Sequence, residues 1–425
     1  MKHSLAHHWD VAVIGGGPAG MMAACIAAAG GASVILIEKN DSLGKKLLIT
    51  GGGRCNVTNA ETNTRALLAQ FSDSDKFLFS AFAQWSVQET LDFFHTRNVP
   101  TKVEAEKRVF PASNSAQSIW DALVSELKRT GVTVVSNAAV TACTTLGDLL
   151  QSVTLANGRT VTARAYIFAT GGMSRPETGS TGDGFGWLKK LGHTVNDTTA
   201  ALVPITIREP WISTLAGVTL PSVKLRVYQN NVLQDARVGK LLFTHVGVTG
   251  PTVLNMSRDI GDLLSYGDVL LEVDLVPTLD YSQLNTRLQE LFVTHHTKKI
   301  KNALPDLIPT TLVGRILENA GLDPDTACNS VTREARIALG KALKHLRMQV
   351  KGLLGTNKAV VTSGGVSLSE IDFKTMRSRK IDNLYVVGDL LDIDRPSGGY
   401  SLQLCWTTGF VAGTHAAAYA ATPTS

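Results

Sequence analysis

The residues whose types and spacing most directly imply chemistry lie in the first sixty positions. Gly15-Gly16-Gly17-Pro18-Ala19-Gly20 sets glycines at the first, third and sixth places of one turn. In that pattern Gly15 permits a sharp bend and Gly17 lets the backbone approach a pyrophosphate. Gly20 lets a helix, opened by Pro18 and Ala19, pack close to a strand. The helix N-terminus presents free N–H groups to phosphate charge. Glu38 stands 18 residues beyond Gly20, where a carboxylate accepts both hydroxyls of a ribose. An acid there suits an unphosphorylated ribose, so FAD or NAD rather than NADP. Residues 43–59 then read LGKKLLITGGGRCNVTN. A glycine-rich loop with basic residues adds donors for a diphosphate. An extended FAD needs such a loop and a simple NAD site does not. The candidate cofactor residues here are Lys39, Lys46, Gly52, Gly53, Arg54, Cys55 and Asn56.

Three side chains are candidates for handling protons beside a flavin. Cys55 follows Arg54, and a neighbouring cation would lower a thiol's pKa. It could protonate a carbon after hydride delivery, or it could simply pack the loop. His245 is a general acid or base by residue type, or a structural hydrogen-bonding histidine. Tyr400 follows Gly398-Gly399 and could cover a ring, donate a hydrogen bond or merely pack. No metal is expected, because His295-His296 has no carboxylate or cysteine partners. The five cysteines include no C-x-x-C pair, which argues against a disulfide framework and a dithiol redox centre.

The elements that must position these residues follow from the pattern around them. Residues 10–14 (DVAVI) are apolar and β-branched, as in a strand buried on both faces. Residues 21–29 are alanine-rich and helical, and 33–37 form a second strand ending at Glu38. Two later segments return to the same sheet. Residues 164–172 (RAYIFATGG) form a strand that brings Thr170 and Gly171 to the dinucleotide, with Val140 from the preceding segment. Residues 380–391 form another, ending in Gly388-Asp389, where a carboxylate can bond ribityl hydroxyls. Then PSGGYSLQ, with Gly399, Tyr400 and Leu402, leads into a small-residue helix at 407–421. Its N-terminus would stabilise an anionic reduced flavin. Only one G-x-G-x-x-G occurs, so NADH or NADPH as reductant would dock transiently or use the inserted domain.

These residues resemble the BaiN/YhiN-type flavoproteins, also called the aminoacetone oxidase family of FAD-binding enzymes. The resemblance spans essentially the whole chain. Its marks are GGGRCNVTN at 51–59, RVFP at 108–111, GSTGDG at 179–184, FTH ending at His245, Gly250-Pro251, TSGGV at 362–366 and Gly398-Gly399-Tyr400. The chain departs from the pattern at Asp389, usually glutamate, and at Ser401, usually asparagine. Asp394-Arg395-Pro396 is also unusual. The resemblance implies an α/β protein with a discontinuous, glutathione-reductase-like Rossmann FAD domain, an inserted β-rich domain and a small helical domain. Residues 1–200 and 356–425, 201–279 and 280–355 are the expected parts. Direct reading agrees: 201–279 alternates as strands do, with a turn at Asn230-Asn231, and 280–352 carries helical periodicity.

The resemblance implies a reductase acting on an activated double bond, the favoured substrate being a uracil of ribosomal RNA. Reduction of a small steroid-like substrate, oxidation of a small amine with release of hydrogen peroxide, and a non-enzymatic RNA-binding role are the alternatives. Charge bears on the choice. Between 285 and 351, eleven Lys/Arg face six Asp/Glu, which equals the whole chain's excess of +5. If 331–354 is one helix, Arg333, Arg336, Lys341, Lys344, Arg347 and Lys351 share a side, with Lys298, Lys299 and Lys301 ahead of them. That stripe is a solvated helix face or a footprint for RNA phosphates. The opening MKHSLAHHWD, with His3, His7 and His8, reads as a tail without a signal-peptide core. Residues 21–29 are far short of the ~20 apolar residues a membrane span needs. A cytoplasmic location is expected.

Overall fold

A computed structural model describes residues 8–197, 199–355 and 361–422; His3 and His7 lie outside them. The chain divides into two compact units, Met1–Ala201 with Thr356–Ser425, and Leu202–Gly355.

In the first unit five parallel strands form one sheet, in the order Leu384–Val386, Ala163–Phe168, Trp9–Ile14, Val34–Ile37, Thr133–Val135. The central strands are buried on both faces, which explains their unbroken apolar runs. The first helix, Pro18–Ala29, begins at Pro18, with Gly17 as its N-cap. The last helix, Tyr400–Ala421, starts seven residues before the expected 407. The two helices pack closely: a Cβ on Gly413 would lie 2.5 Å from the Ala23 carbonyl oxygen. A three-stranded sheet (Val140–Leu146, Leu149–Leu155, Thr160–Val161) and a smaller one (Thr58–Asn59, Arg108–Pro111, Thr101–Val103) complete this unit's main strands.

The second unit contains a closed six-stranded barrel. Its order is Ile205–Ile207, Gly247–Thr249, Val232–Phe243, Thr219–Gln229, Val269–Asp274, Leu346–Leu353. The expected Asn230-Asn231 turn is present, both residues at positive φ (51° and 63°), as a two-residue hairpin of this twist requires.

Two expectations are corrected here. Residues 346–353 are a strand, and Ile205 paired with Leu353 closes the barrel. Leu346, Met348 and Val350 are buried while Arg347 and Lys351 are exposed, a period of two. Leu346, Val350 and Leu353 also satisfy helical spacing, so the two periodicities overlap. The helix itself ends at Lys344. Second, the β-rich and helical parts share one core: Leu271, Val273 and Met348 of the barrel join Leu288, Leu312 and Leu339 of the helices.

The basic stripe is broken up as a result. Lys344 is buried, 2.8 Å from Asp274, and its ammonium donates to the Val276 and Leu279 carbonyls. Arg347 projects from the strand and pairs with Glu272. Lys299 and Lys301 both pair with Asp325. Arg336 donates to Asn285. Lys298, Arg333 and Lys341 stay exposed and make no ion pair among the described residues.

Candidate cofactor cleft

The site in the first unit is built where four parallel strands end, at Ile14, Ile37, Phe168 and Val386. After Ile14 the chain turns at Gly15, whose φ is +107°, and the Gly15 N–H donates to the Ile37 carbonyl at 2.8 Å. A Cβ on Gly20 would lie 1.9 Å from the Gly15 oxygen, whereas one on Gly17 would meet nothing within 4 Å. Gly20 is therefore required by packing. Gly17 faces the open cleft at the head of the first helix.

Glu38 caps the second strand and is 7% exposed. One carboxylate oxygen accepts the Gly16 N–H at 2.7 Å and the other accepts the Asn40 N–H at 2.7 Å. Each oxygen keeps a further lone pair for a ribose hydroxyl. Lys39 pairs with Asp183 at 2.7 Å, and the Asn40 amide donates to the Thr178 carbonyl at 3.0 Å. These bonds lace the 178–183 segment to the end of the second strand.

On the opposite wall Lys46 donates to Ser174 at 2.6 Å and to Asp389 at 3.2 Å. Asp389 also pairs with the buried Arg395. Burial pushes the Asp389 carboxyl up, but Lys46 and Arg395 beside it hold it below its ordinary value. Burial pushes the nearby Cys405 thiol up to about 12.

Together these walls enclose about 1200 Å³, counted out to open solvent. Of the expected residues, Gly15, Gly17, Pro18, Ala19, Glu38, Lys39, Lys46, Val140, Thr170, Gly171, Gly388, Asp389 and Leu402 line the cleft. Two observations fit it to FAD. Gly17 leaves room for a pyrophosphate against the helix N-terminus. The Thr170 hydroxyl is buried without a hydrogen-bond partner among the described residues, as a group waiting for a ligand would be.

The remaining expected residues lie elsewhere. Gly52 and Gly53 form an exposed turn next to Thr50, which does line the cleft. Arg54 pairs with Glu104 at 2.6 Å and lies 3.9 Å over the Phe110 ring. Asn56 has a buried carbonyl oxygen without a partner among the described residues but does not line the cleft. Cys55 is fully buried, and burial pushes its thiol up to about 12. The expected lowering by Arg54 is thus reversed by desolvation, while the Arg54 guanidinium is paired with Glu104. Gly399 approaches Thr58 so closely that a Cβ would lie 2.3 Å from its carbonyl. Tyr400 meets the Phe71 ring edge-on at 5.9 Å. His245 belongs to the second unit, exposed beside a hollow lined by Arg208, Glu209 and Lys351. Within the first unit, neither Cys55 nor Tyr400 lines the cleft.

Sequence reasoning missed Asn40, Thr178, Ser180, Asp183, Ser401 and Cys405, all of which line the cleft. The GSTGDG mark at 179–184 was the available signal for two of them, Ser180 and Asp183. Among the described residues no group of three His, Cys, Asp or Glu could hold a metal, and no helix is long and apolar enough to cross a membrane.

A buried Ser378–His193–Glu370 relay (2.9 and 3.1 Å) has the order of a hydrolytic triad. The Ser378 hydroxyl, however, is 2% exposed and accepts the N–H groups of Lys380 and Ile381. It ties loops together and presents no nucleophile.

A family model for HI0933-like Rossmann-domain proteins matches residues 9–415. The chain is 32% identical to a ribosomal RNA dihydrouridine synthase of Escherichia coli strain K12, covering 95% of this chain and 96% of that one. It is 30% identical to a 3-dehydro-bile acid delta(4,6)-reductase of Clostridium scindens, covering 96% and 98%. Among solved structures, the open conformation of a flavocytochrome c3 fumarate reductase is similar in fold. Its TM-score is 0.51 at 16% identity, over 98% of this chain and 79% of that one. With the cleft's geometry and these relatives, the chain belongs to the HI0933-like Rossmann-domain family of FAD-dependent oxidoreductases.

Proposed function

We propose that this oxidoreductase reduces the ring double bond of a uracil in ribosomal RNA, giving dihydrouridine. FAD supplies the hydride when bound; one ring carbon receives it and the other a proton. The observation that carries the reading is the 32% identity, across nearly the full length of both chains, to a ribosomal RNA dihydrouridine synthase. Glu38 and Gly17 would hold the adenosine and pyrophosphate, and Asp389 the ribityl chain. NADH or NADPH serves as the transient reductant. RNA is held through its phosphates by exposed cations of the second unit, Lys298, Arg333 and Lys341 among them, in a cytoplasmic setting. Expected behaviour is loss of dihydrouridine from the large ribosomal RNA of a host lacking the gene, restored by the wild-type chain. Unchanged dihydrouridine overturns the substrate. Arg333→Glu with Lys341→Glu should weaken RNA binding and flatten its salt dependence.

A second reading has its own support. The 30% identity to the bile acid reductase and the ion-paired state of Lys299, Lys301, Lys344 and Arg347 favour a small unsaturated substrate. Purified holoenzyme that oxidises NADPH with an unsaturated 3-ketosteroid, but not with ribosomal RNA, would select it.

A further inference from the structure

Arg395 stands just ahead of the C-terminal helix with its side chain fully buried. Its guanidinium is satisfied on three sides. One terminal nitrogen pairs with Asp389, the other donates to the Ile393 carbonyl at 2.6 Å, and Nε donates to the Ser401 hydroxyl at 3.1 Å. The other Asp389 oxygen takes Lys46, which also donates to Ser174. One carboxylate is thus flanked by two cations, on a wall where Lys46, Asp389, Ser401 and Leu402 all line the cleft.

Among the described residues, no second acid lines that wall to balance the extra cation. Cys405 lines it with a thiol that burial keeps protonated. Asp392 and Asp394 turn to other partners, Asn196 and Ser363, and the charges that act on Asp389 are Lys46 and Arg395. Farther along the cleft, Lys39 is matched by Asp183 and Lys45 by Asp41, and the carboxylate of Glu38, at the end of the second strand, is held by the Gly16 and Asn40 N–H groups. Ser401 and Leu402 belong to the first turn of the 22-residue helix, whose positive end adds to the same side. A buried charge acts through a lower dielectric than water, so its reach across the cleft is substantial.

Resting on the FAD reading of the cleft, we propose that Arg395 is a positioning residue. It locks Asp389 and the first turn of the C-terminal helix together and leaves this wall net positive. The wall therefore binds reduced FAD, the more negative form, more tightly than oxidised FAD, and the flavin's two-electron potential is raised. The guanidinium acts through Asp389 and Ser401.

Redox titration of the purified holoenzyme tests this, with Arg395→Gln, Arg395→Lys and Asp389→Asn beside the wild type. Arg395→Gln should lose at least tenfold of the preference for reduced FAD, a fall of about 30 mV for a two-electron couple. Arg395→Lys keeps the charge and should recover most of that fall. Asp389→Asn removes the counter-charge and should move the potential upward. Equal potentials in the Gln and Lys variants, or a downward shift in Asp389→Asn, overturns the proposal. If Arg395→Gln does not fold, the Lys and Asp389→Asn variants still decide by sign. A wild-type protein that takes up no FAD, judged by its visible spectrum, refutes the cofactor reading instead.

Discussion

Two alanine substitutions three residues apart should separate the cleft's binding role from its packing role. At Gly17 the backbone is extended (φ −79°, ψ −176°), and an added Cβ meets nothing within 4 Å. Alanine fits there, and its smaller unfolded-state entropy contributes about 0.4–1 kcal/mol of stability. Losing the glycine N-cap offsets a few tenths of that. The stability of the cofactor-free protein should therefore change by less than about 1 kcal/mol, or roughly 2–4 °C in Tm. The methyl, however, occupies the place from which a pyrophosphate meets the helix N-terminus. Losing two charge-assisted hydrogen bonds at about 1.5–3 kcal/mol each weakens FAD at least about 100-fold. At Gly20 the Cβ would lie 1.9 Å from the Gly15 carbonyl oxygen, and backbone has to move. Overpacking of this kind costs about 1–3 kcal/mol or more, so Gly20→Ala lowers the Tm of the apoprotein by several degrees. Calorimetry of the apoprotein and a flavin-quenching titration read the two effects. Wild-type FAD affinity in Gly17→Ala, or an undisturbed Tm in Gly20→Ala, would refute the reasoning.

Three further outcomes follow from the buried polar groups. Lys344→Met strands Asp274, 2% exposed and left with Arg226 at 3.7 Å, and should cost about 3–5 kcal/mol in urea unfolding; Lys341→Met should cost almost nothing. Cys55, buried and held near 12, should resist iodoacetamide at pH 8 in the folded protein and react only on unfolding, so rapid native labelling would contradict its placement. Burial lowers the His193 pKa, while Glu370, raised by burial, is held at about 2 by Lys380, Thr194 and His193. Both folded values lie below the unfolded ones. Their stabilising contribution is therefore complete above about pH 6.5 for His193 and 4.5 for Glu370, and is lost as pH falls through the folded values. His193→Gln should flatten the slope of stability as the pH falls below about 6.5, and an unchanged slope would refute the assignment.

Much of the cleft was legible because phosphate recognition by backbone is local. Gly15 to Gly20, Glu38 and the strands around them are contiguous, and each glycine has a steric reason to be there. Thr170, Gly388 and Asp389 were legible for a related reason, since strand ends of a parallel sheet converge on one edge. Arg54 and Cys55 were misread because sequence adjacency says nothing of which way a side chain turns. Glu104, fifty residues away, takes the guanidinium and leaves the thiol in an apolar setting. Arg347 and Lys351 were misplaced on a helix because Leu346, Val350 and Leu353 fit both a helical and an alternating period; Lys344 is helical as read, but Asp274 and two carbonyls from a distant segment hold it inside.

The sequence by itself determined the nucleotide-binding frame: a phosphate turn, an acid at the second strand, and a chain that leaves this domain and returns to it. Those features need only the conformational limits of glycine and the periods of helix and strand. Tertiary structure alone decided the charge pattern. It closed the barrel with residues 346–353, buried Lys344 against Asp274, and placed Arg395 between Asp389 and Ser401. Whether a cation faces solvent, an acid or a cofactor depends on distant groups and on local dielectric, neither of which is written in neighbouring residues.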